Sequence, residues 1–309
     1  MNEIVKSIFK FETIIILRHV LPDGDAYGSQ LGLKSLILDN FKHKKVYAFG
    51  KEISYLNFVG NMDVFQKQVF KNALVIVTDC GNIERIDIED KQLLQQAKKV
   101  IKIDHHPDVE PYGDISWVDT SFTSASEMVG YLSLKNNWYV NKKCAQIIYH
   151  GICTDSGRFL YEGTTSRTFD VASYLFKTNF DFKKLYKNMY EKTWNDVLLN
   201  TRLINQAHIT SKGVGYLIIN KDIYKEFNID PSTSGKFSNI LSNIKEIKIW
   251  ITFSWRTDNK WRVEFRSKDV SINNLAIKLG GGGHRLASGA IIENLNDIKK
   301  IIKEADSLL

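Results

Sequence analysis

The chain has 309 residues, 43% hydrophobic and 12% aromatic, which is enough apolar material for more than one core and excludes disordered, collagen-like and mucin-like classes. No apolar run approaches the roughly 20 residues that a membrane-spanning helix requires. Residues 1–10 lack the apolar stretch of a secretory leader, and Cys80, Cys144 and Cys153 are spaced too widely for a zinc ribbon or a redox pair, so a cytoplasmic protein with reduced thiols is expected. Lys and Arg number 42 against 35 Asp and Glu, a formal net charge of +7 that is compatible with a polyanionic ligand. Residues 209–309 carry 16 basic and 11 acidic side chains, so the excess gathers in the last third.

Short β-branched runs at 13–17, 45–49, 73–78, 99–103 and 115–118 alternate with helical patterns at 28–40, 89–98, 125–135 and 142–153. Strands alternating with helices predict parallel βαβ units in a doubly wound, mostly parallel α/β sheet. From about residue 165 the pattern is helical, over 168–177 and then 181–206, and the later part reads as a linker. A second, smaller α/β domain follows. Its expected elements are a strand at 214–219, a helix near 235–244, a hairpin of 248–255 with 261–267, a helix at 272–279, a strand near 288–292 and a last helix from 296.

The polar residues collect where strands end, which is where open α/β sheets bind ligands. His19, Asp23 and Asp25 in HVLPDGDAYGS stand at i, i+4 and i+6 across a strand-to-helix turn, and serve either half of a metal site or the capping of the helix. Asp79 ends the strand in VIVTDCGN, and Asp104-His105-His106 ends the next. Asp155 in TDSGRF follows an apolar helix, where Gly157 could equally be a stop signal. His19, His105, Asp23, Asp25, Asp79, Asp104 and Asp155 make two histidines and five aspartates at element ends of one sheet. Mixed imidazole and carboxylate ligation suits Mn²⁺ or a similar ion better than structural Zn²⁺. Two ions about 3.5–4 Å apart would relieve the mutual repulsion, bind phosphate oxygens and hold a hydroxide nucleophile. The run Gly280–Gly283, followed by His284, Arg285 and Ser288, is either a flexible loop or a backbone able to present N–H groups to a phosphate.

The succession HVLPDGDAYGS, VTDCGN, IDHHPD, GICTDSGRF, then FRS and GGGGHRLASGA, resembles the DHH phosphoesterases over nearly the whole chain. The resemblance implies a DHH catalytic domain at 1–185, a helical linker at 186–208 and a DHH-associated substrate-binding domain at 209–309. It implies that His19, Asp23 and Asp79 hold one Mn²⁺ and that Asp25, Asp79, His105 and Asp155 hold a second, with Mg²⁺ or Co²⁺ as substitutes. Asp79 would bridge the pair, Asp104 would stand behind the ligands or be a secondary ligand, orienting an imidazole or a metal-bound water, and His106 would face the scissile phosphate. Arg266, Ser267, Gly281, Gly282, Gly283, His284 and Arg285 would grip the substrate's distal phosphate or terminal nucleotide.

The layout is most similar to family members that cut very short RNA oligonucleotides to mononucleotides and take the 3'-phosphate from pAp, through attack of a bridging hydroxide. The implied partners are short oligoribonucleotides, pAp or a dinucleotide, with no membrane and with a homodimer permitted. A phosphodiesterase for cyclic dinucleotides such as c-di-AMP, or for their linear products, uses the same residues. An inorganic pyrophosphatase leaves the FRS and glycine-rich segments without a purpose. A non-catalytic nucleic-acid binder working through its charge leaves the carboxylates unexplained. Ser124, Ser126 and Glu127 read as helix capping and His43, His150 and His208 as surface or core histidines, while Arg158 is placed to touch phosphate.

Overall fold

Runs that are apolar on both faces, such as TIIIL and LVIVT, are stable where helices cover both sides of a parallel sheet. In the computed structural model, which describes residues 1–309, five strands form one all-parallel sheet with these apolar runs at its centre: β1 (Thr13–Leu17), β2 (Lys45–Ala48), β3 (Leu74–Thr78), β4 (Lys99–Asp104) and β5 (Ile115–Val118). Their order is β2-β1-β3-β4-β5. The register sets Leu17 beside Val77 and Thr78 beside Ile103, so the carboxyl ends of the three central strands lie level. Whatever follows them is delivered to one edge.

Seven helices belong to this unit: α1 (Asn2–Lys10), α2 (Gly24–Asn40), α3 (Leu93–Gln96), α4 (Ala125–Lys135), α5 (Lys142–Asp155), α6 (Ser166–Phe176) and α7 (Phe182–Tyr190). On one face Ile14, Ile16, Ile76, Ile101 and Ile103 pack with Leu33, Leu36, Met128, Val129 and Ile148. On the other, Ile15, Leu17, Val75 and Val77 meet Phe49, Phe70, Ile86 and Leu93. Each fully buried side chain of this kind stabilises by roughly 1.5–3 kcal/mol.

The chain divides into two compact units, Met1–Tyr190 and Glu191–Leu309. The second contains α8 (Trp194–Asn205), β6 (His208–Ile209), β7 (Val214–Ile219), α9 (Lys221–Glu226), β8 (Ile249–Trp255), β9 (Trp261–Ser267), α10 (Asn273–Lys278), β10 (Gly282–Gly283), β11 (Ala287–Ile292) and α11 (Ile298–Asp306). Its strands form a mixed sheet in the order β10-β11-β9-β8-β7-β6, parallel only between β7 and β8. Val214, Ile249, Ile251, Phe253, Val263 and Phe265 pack with residues of α10 and α11, while Leu217, Ile219 and Trp250 pack with residues of α8 and α9.

Three expected helices differ. The one at 89–98 contracts to α3, because Lys91 Nζ is drawn to the carbonyls of Ile86 and Ile88 and holds the preceding residues in turns. The one near 235–244 is replaced by a 3₁₀ segment, Pro231–Phe237, followed by turns. There Thr233 and Ser238 donate to the carbonyls of Asp230 and Gly235, and such local bonds compete with a helix. The stretch 181–206 is two helices, interrupted where Thr193 caps α8 in a reciprocal box with Asp196. The sequence reading missed α1, although Ile4 and Ile8 at i and i+4 bury its inner face. No helix is long and apolar enough to cross a membrane.

Candidate metal centre

At the end of β1, Arg18 is wholly buried and donates to Asp87 Oδ2 at 2.7 Å, to the Lys51 carbonyl at 2.7 Å and to the His19 carbonyl at 3.1 Å, clamping the backbone that carries His19. His19 Nδ1 lies 2.7 Å from the Val20 carbonyl, so this nitrogen is the protonated one and Nε2 carries the lone pair. Nε2 lies 3.4 Å from Asp79 Oδ2. Asp23 caps α2, with Oδ1 accepting from the N–H groups of Asp25 and Ala26 at 3.0 Å each. The capping and ligating uses of this aspartate are therefore compatible, because one oxygen serves the helix.

Asp25, in the first turn of α2, is buried. Its Oδ2 accepts from Ala125 N at 2.7 Å and its Oδ1 from Ser126 N at 2.8 Å, across about a hundred residues of chain. The N-terminus of α4 thus holds this carboxylate, a function the sequence reading did not find in the segment it took for capping alone. The capping is present as well: Ser124 Oγ accepts from Glu127 N, and Glu127 accepts from Thr123 N, Thr123 Oγ1 and Arg167 Nε.

Asp79 stands at the centre in the left-handed region, φ 53°, with its N–H bonded to the Ile103 carbonyl. A non-glycine residue held there is the kind of local strain that clusters at functional sites. Its Oδ1 is 3.5 Å from both His105 Nε2 and His106 Nδ1. His105 Nε2 is also 3.2 Å from Asp155 Oδ2 and 3.8 Å from Asp25 Oδ2. His106 Nδ1 turns to Asp104 Oδ1 at 2.8 Å. The adjacent histidines therefore share Asp79 and differ in their other partners, Asp155 and Asp25 for His105 and Asp104 for His106. Donor atoms of His19, Asp23 and Asp79 lie within 4.8 Å of one another, as do those of Asp25, Asp79 and His105 and those of Asp79, Asp104 and His106, so three groups share Asp79, the last of them closed by the Asp104–His106 hydrogen bond.

The electrostatics show what the cluster lacks. Burial, then the charges of Asp79 and Asp155, push the Asp25 carboxyl well above its ordinary value. Burial likewise lifts Asp155 to about 6 against the pull of His105, although 30% of its side chain reaches solvent and tempers the effect. For Asp79 burial is outweighed by the neighbouring imidazoles of His105 and His19, which favour the ionised carboxylate and hold it well below the carboxylate range. Burial would lower His105 and His19, but the surrounding aspartates prevail and raise both, His105 strongly. Asp79 Oδ1 and Asp104 Oδ2 are buried without a hydrogen-bond partner. Orphaned carboxylate oxygens beside imidazole nitrogens, at the edge of a parallel sheet, are the donor set of a hard divalent cation, and the residues fit such an ion.

In the second unit, Gly282 and Gly283 pair with Gly289 and Ser288, so the glycine run enters a short strand rather than a free loop. A Cβ on Gly281 would strike the Gly289 carbonyl, and one on Gly283, at φ 136°, would lie 2.7 Å from Ser288 Cα, whereas Gly280 and Gly282 face open space. His284 and Ala287 close a tight turn by mutual backbone bonds, and exposed Arg285 donates to the Asp269 carbonyl at 2.8 Å. Arg266 and Ser267, neighbours on β9, alternate between faces. Arg266 is half-buried and bonded to the Phe265 carbonyl, while the Ser267 hydroxyl is turned inward to the Val270 carbonyl. Arg158 lies with its guanidinium 5.7 Å from the Tyr190 ring centroid.

An open α/β sheet with imidazoles and carboxylates converging at its carboxyl edge defines the class, a hydrolase built around divalent metal. The comparisons are specific within it. Residues 13–152 match the DHH family, N-terminal domain, and residues 213–309 match the DHHA1 domain. A Bacillus subtilis (strain 168) protein named bifunctional oligoribonuclease and PAP phosphatase NrnA is 39% identical, over 99% of this chain and 98% of its own. One from Streptococcus mutans, named as the probable equivalent, is 39% identical over 99% and 98%. The crystal structure of an exopolyphosphatase-related protein from Bacteroides fragilis has the same fold, with a TM-score of 0.89 at 24% identity over 99% of this chain and 95% of that one. The chain belongs to the DHH family of phosphoesterases, which are metal-dependent enzymes.

Proposed function

We propose that this chain is a Mn²⁺-dependent hydrolase that cuts very short RNA oligonucleotides to mononucleotides and converts pAp to AMP. The observation that carries the reading is the two donor groups of His19, Asp23 and Asp79 and of Asp25, Asp79 and His105, on a chain that aligns end to end with relatives named for those two activities. In this reading His19, Asp23 and Asp79 hold one ion, and Asp25, Asp79, His105 and Asp155 hold the other. Bound divalent ions supply Lewis-acid chemistry, lowering the pKa of water and neutralising charge on phosphate oxygens.

The chain's own residues do the rest. The α4 N-terminus fixes Asp25, and Val20 fixes the tautomer of His19. Asp104 takes the Nδ1–H of His106, which leaves Nε2 as the nitrogen for the scissile phosphate. Water adds to phosphorus and releases a proton to solvent, the bond to the leaving oxygen breaks, and that oxygen takes the Nε2 proton of His106, which solvent then replaces. Arg266, Ser267, Gly281, Gly282, Gly283, His284 and Arg285 bind the distal phosphate or terminal nucleotide. The proposal includes the division into a catalytic domain at 1–185, a linker at 186–208 and a substrate-binding domain at 209–309. It includes a cytoplasmic location, which three free, buried cysteines suit.

The test is product formation from 5'-pApA, pAp, c-di-AMP and pyrophosphate, with Mn²⁺ or EDTA and with Asp79→Ala as the contamination control. AMP from the first two substrates, lost with EDTA and with the variant, supports the reading. Turnover of c-di-AMP or pyrophosphate alone, or salt-sensitive binding of long RNA without hydrolysis, overturns it.

A further inference from the structure

A lysine in the middle of a buried strand is costly unless its charge has work to do. Lys102 is such a residue. On β4, Ile101 and Ile103 face the helical core, while Lys102 turns to the opposite face of the sheet with no exposure to solvent. Its Nζ donates to Asp108 Oδ1 at 2.8 Å and to the Gly81 carbonyl at 3.0 Å, and lies 4.7 Å from the Tyr112 ring centroid. Tyr112 Oη in turn donates to the Cys80 carbonyl at 2.7 Å. The ammonium therefore joins the loop that follows Asp79 to the loop that follows Asp104-His105-His106. It is also 3.9 Å from Asp104 Oδ2, the oxygen that has no hydrogen bond, whereas Asp104 Oδ1 is occupied by His106 Nδ1 at 2.8 Å and His106 N at 3.3 Å.

We propose that Lys102 is a positioning residue: its ammonium faces Asp104 Oδ2 and keeps that carboxylate oriented so that Oδ1 accepts the Nδ1–H of His106 and does not turn into the metal centre as a further ligand. The inference deepens the phosphoester reading and rests on it for the role of His106. The geometry is a chain of three, in which an ammonium faces one carboxylate oxygen and the imidazole takes the other. Without the ammonium, Asp104 Oδ2 is a buried carboxylate oxygen with neither a hydrogen bond nor a cation facing it. Rotation towards bound cations then becomes its best compensation, and His106 loses the acceptor that sets its tautomer. Lys102 touches neither substrate nor metal in this account.

The experiment is a cycle of Lys102→Met, Asp104→Asn and the double variant in the full chain. It reads kcat and KM on 5'-pApA with Mn²⁺, and the imidazole ¹⁵N resonances of histidine-labelled protein in Mg²⁺. Lys102→Met is expected to lower kcat about 100-fold, as the loss of one preorganised electrostatic contact does, to change KM less than threefold, and to replace the His106 Nδ1–H signature by a tautomer mixture. The double variant is expected to be no slower than Asp104→Asn, because Lys102 acts through Asp104. Losses that multiply in the double variant, an unchanged kcat, or an unchanged tautomer would overturn the proposal. If Lys102→Met alone does not fold, the double variant removes the buried pair together, and its comparison with Asp104→Asn decides the question. If the wild-type protein cleaves none of the substrates, the functional reading fails while the tautomer comparison still tests the coupling of Lys102 to His106.

Discussion

Gly151→Ala probes the packing that places Asp25. Helices α2 and α5 approach so closely that a Cβ on Gly28 would lie 2.6 Å from Ser126 Oγ and 2.8 Å from Gly151 Cα. A Cβ on Gly151 would overlap Ser126 Oγ and lie 2.7 Å from Ser126 Cβ and 3.0 Å from Asp25 Oδ1. Two terms oppose in stability. Alanine in place of a mid-helix glycine gains about 1 kcal/mol of propensity, and overpacking a tight contact costs roughly 1–3 kcal/mol. The net loss is thus about 0–2 kcal/mol, too little to unfold the chain. The effect on the site is larger, because Ser126 supplies the N–H that Asp25 Oδ1 accepts. Pushing it aside by ~1 Å is expected to cost about 100-fold in kcat and to weaken Mn²⁺ binding. Urea unfolding separates the two effects, with kcat on 5'-pApA and Mn²⁺ calorimetry as the site readouts. Ser126→Gly added to Gly151→Ala removes both clashing atoms and should return most of the lost activity. A Gly151→Ala protein with wild-type kcat and Mn²⁺ affinity, or a double variant no better than the single, would refute the reasoning.

Three further outcomes follow from the same structure. His150 on α5 is 2% exposed, has neither ring nitrogen bonded and meets Phe58 edge-on at 5.2 Å, and burial pushes its pKa down to about 4. A depressed folded-state value means that the unfolded chain takes up the proton first, so stability present above pH 6.5 is lost as pH falls towards 4; the loss between pH 7 and pH 5 is about 2 kcal/mol. His150→Leu should lack this component, and equal pH dependence of the two melting curves would count against it. Arg167→Met leaves Glu127, whose side chain has no exposure to solvent, without the partner at 2.9 Å on Oε1, and should cost about 3 kcal/mol in urea unfolding. A loss below about 0.5 kcal/mol would show that water replaces the guanidinium. Mn²⁺ at 100 times its dissociation constant should raise stability by about 2.7 kcal/mol, read as an increase in Tm. Asp79→Ala should abolish that increase, and a full increase in the variant would remove Asp79 from the centre.

Much of the architecture was written in local pattern. TIIIL and LVIVT read as buried strands, because they are short, rich in β-branched residues and apolar on both faces, and the motifs that interrupt them mark where such strands stop. The helices at 125–135 and 142–155 follow from apolar spacing and from Ser124 and Asn141 as caps. Pattern failed where side chains had competing uses for the backbone, as with Lys91 before α3 and with Thr233 and Ser238 in the 3₁₀ segment. It also failed for α1, where Glu3, Lys6 and Lys10 interspersed with apolar residues resemble alternation.

The candidate site divides in the same way. Histidines and aspartates at strand ends are visible in sequence, since a charge after an apolar strand needs a reason to be there. The arrangement that makes them a centre is tertiary. Asp25 depends on the N–H groups of Ala125 and Ser126, about a hundred residues away, and those depend on Gly28 and Gly151 letting two helices touch. Lys102 reads in sequence as one polar residue within an apolar strand. Asp104 and Asp108 are near it in the chain, but only the parallel register of β3 and β4 brings Gly81, which follows the neighbouring strand, to the same ammonium.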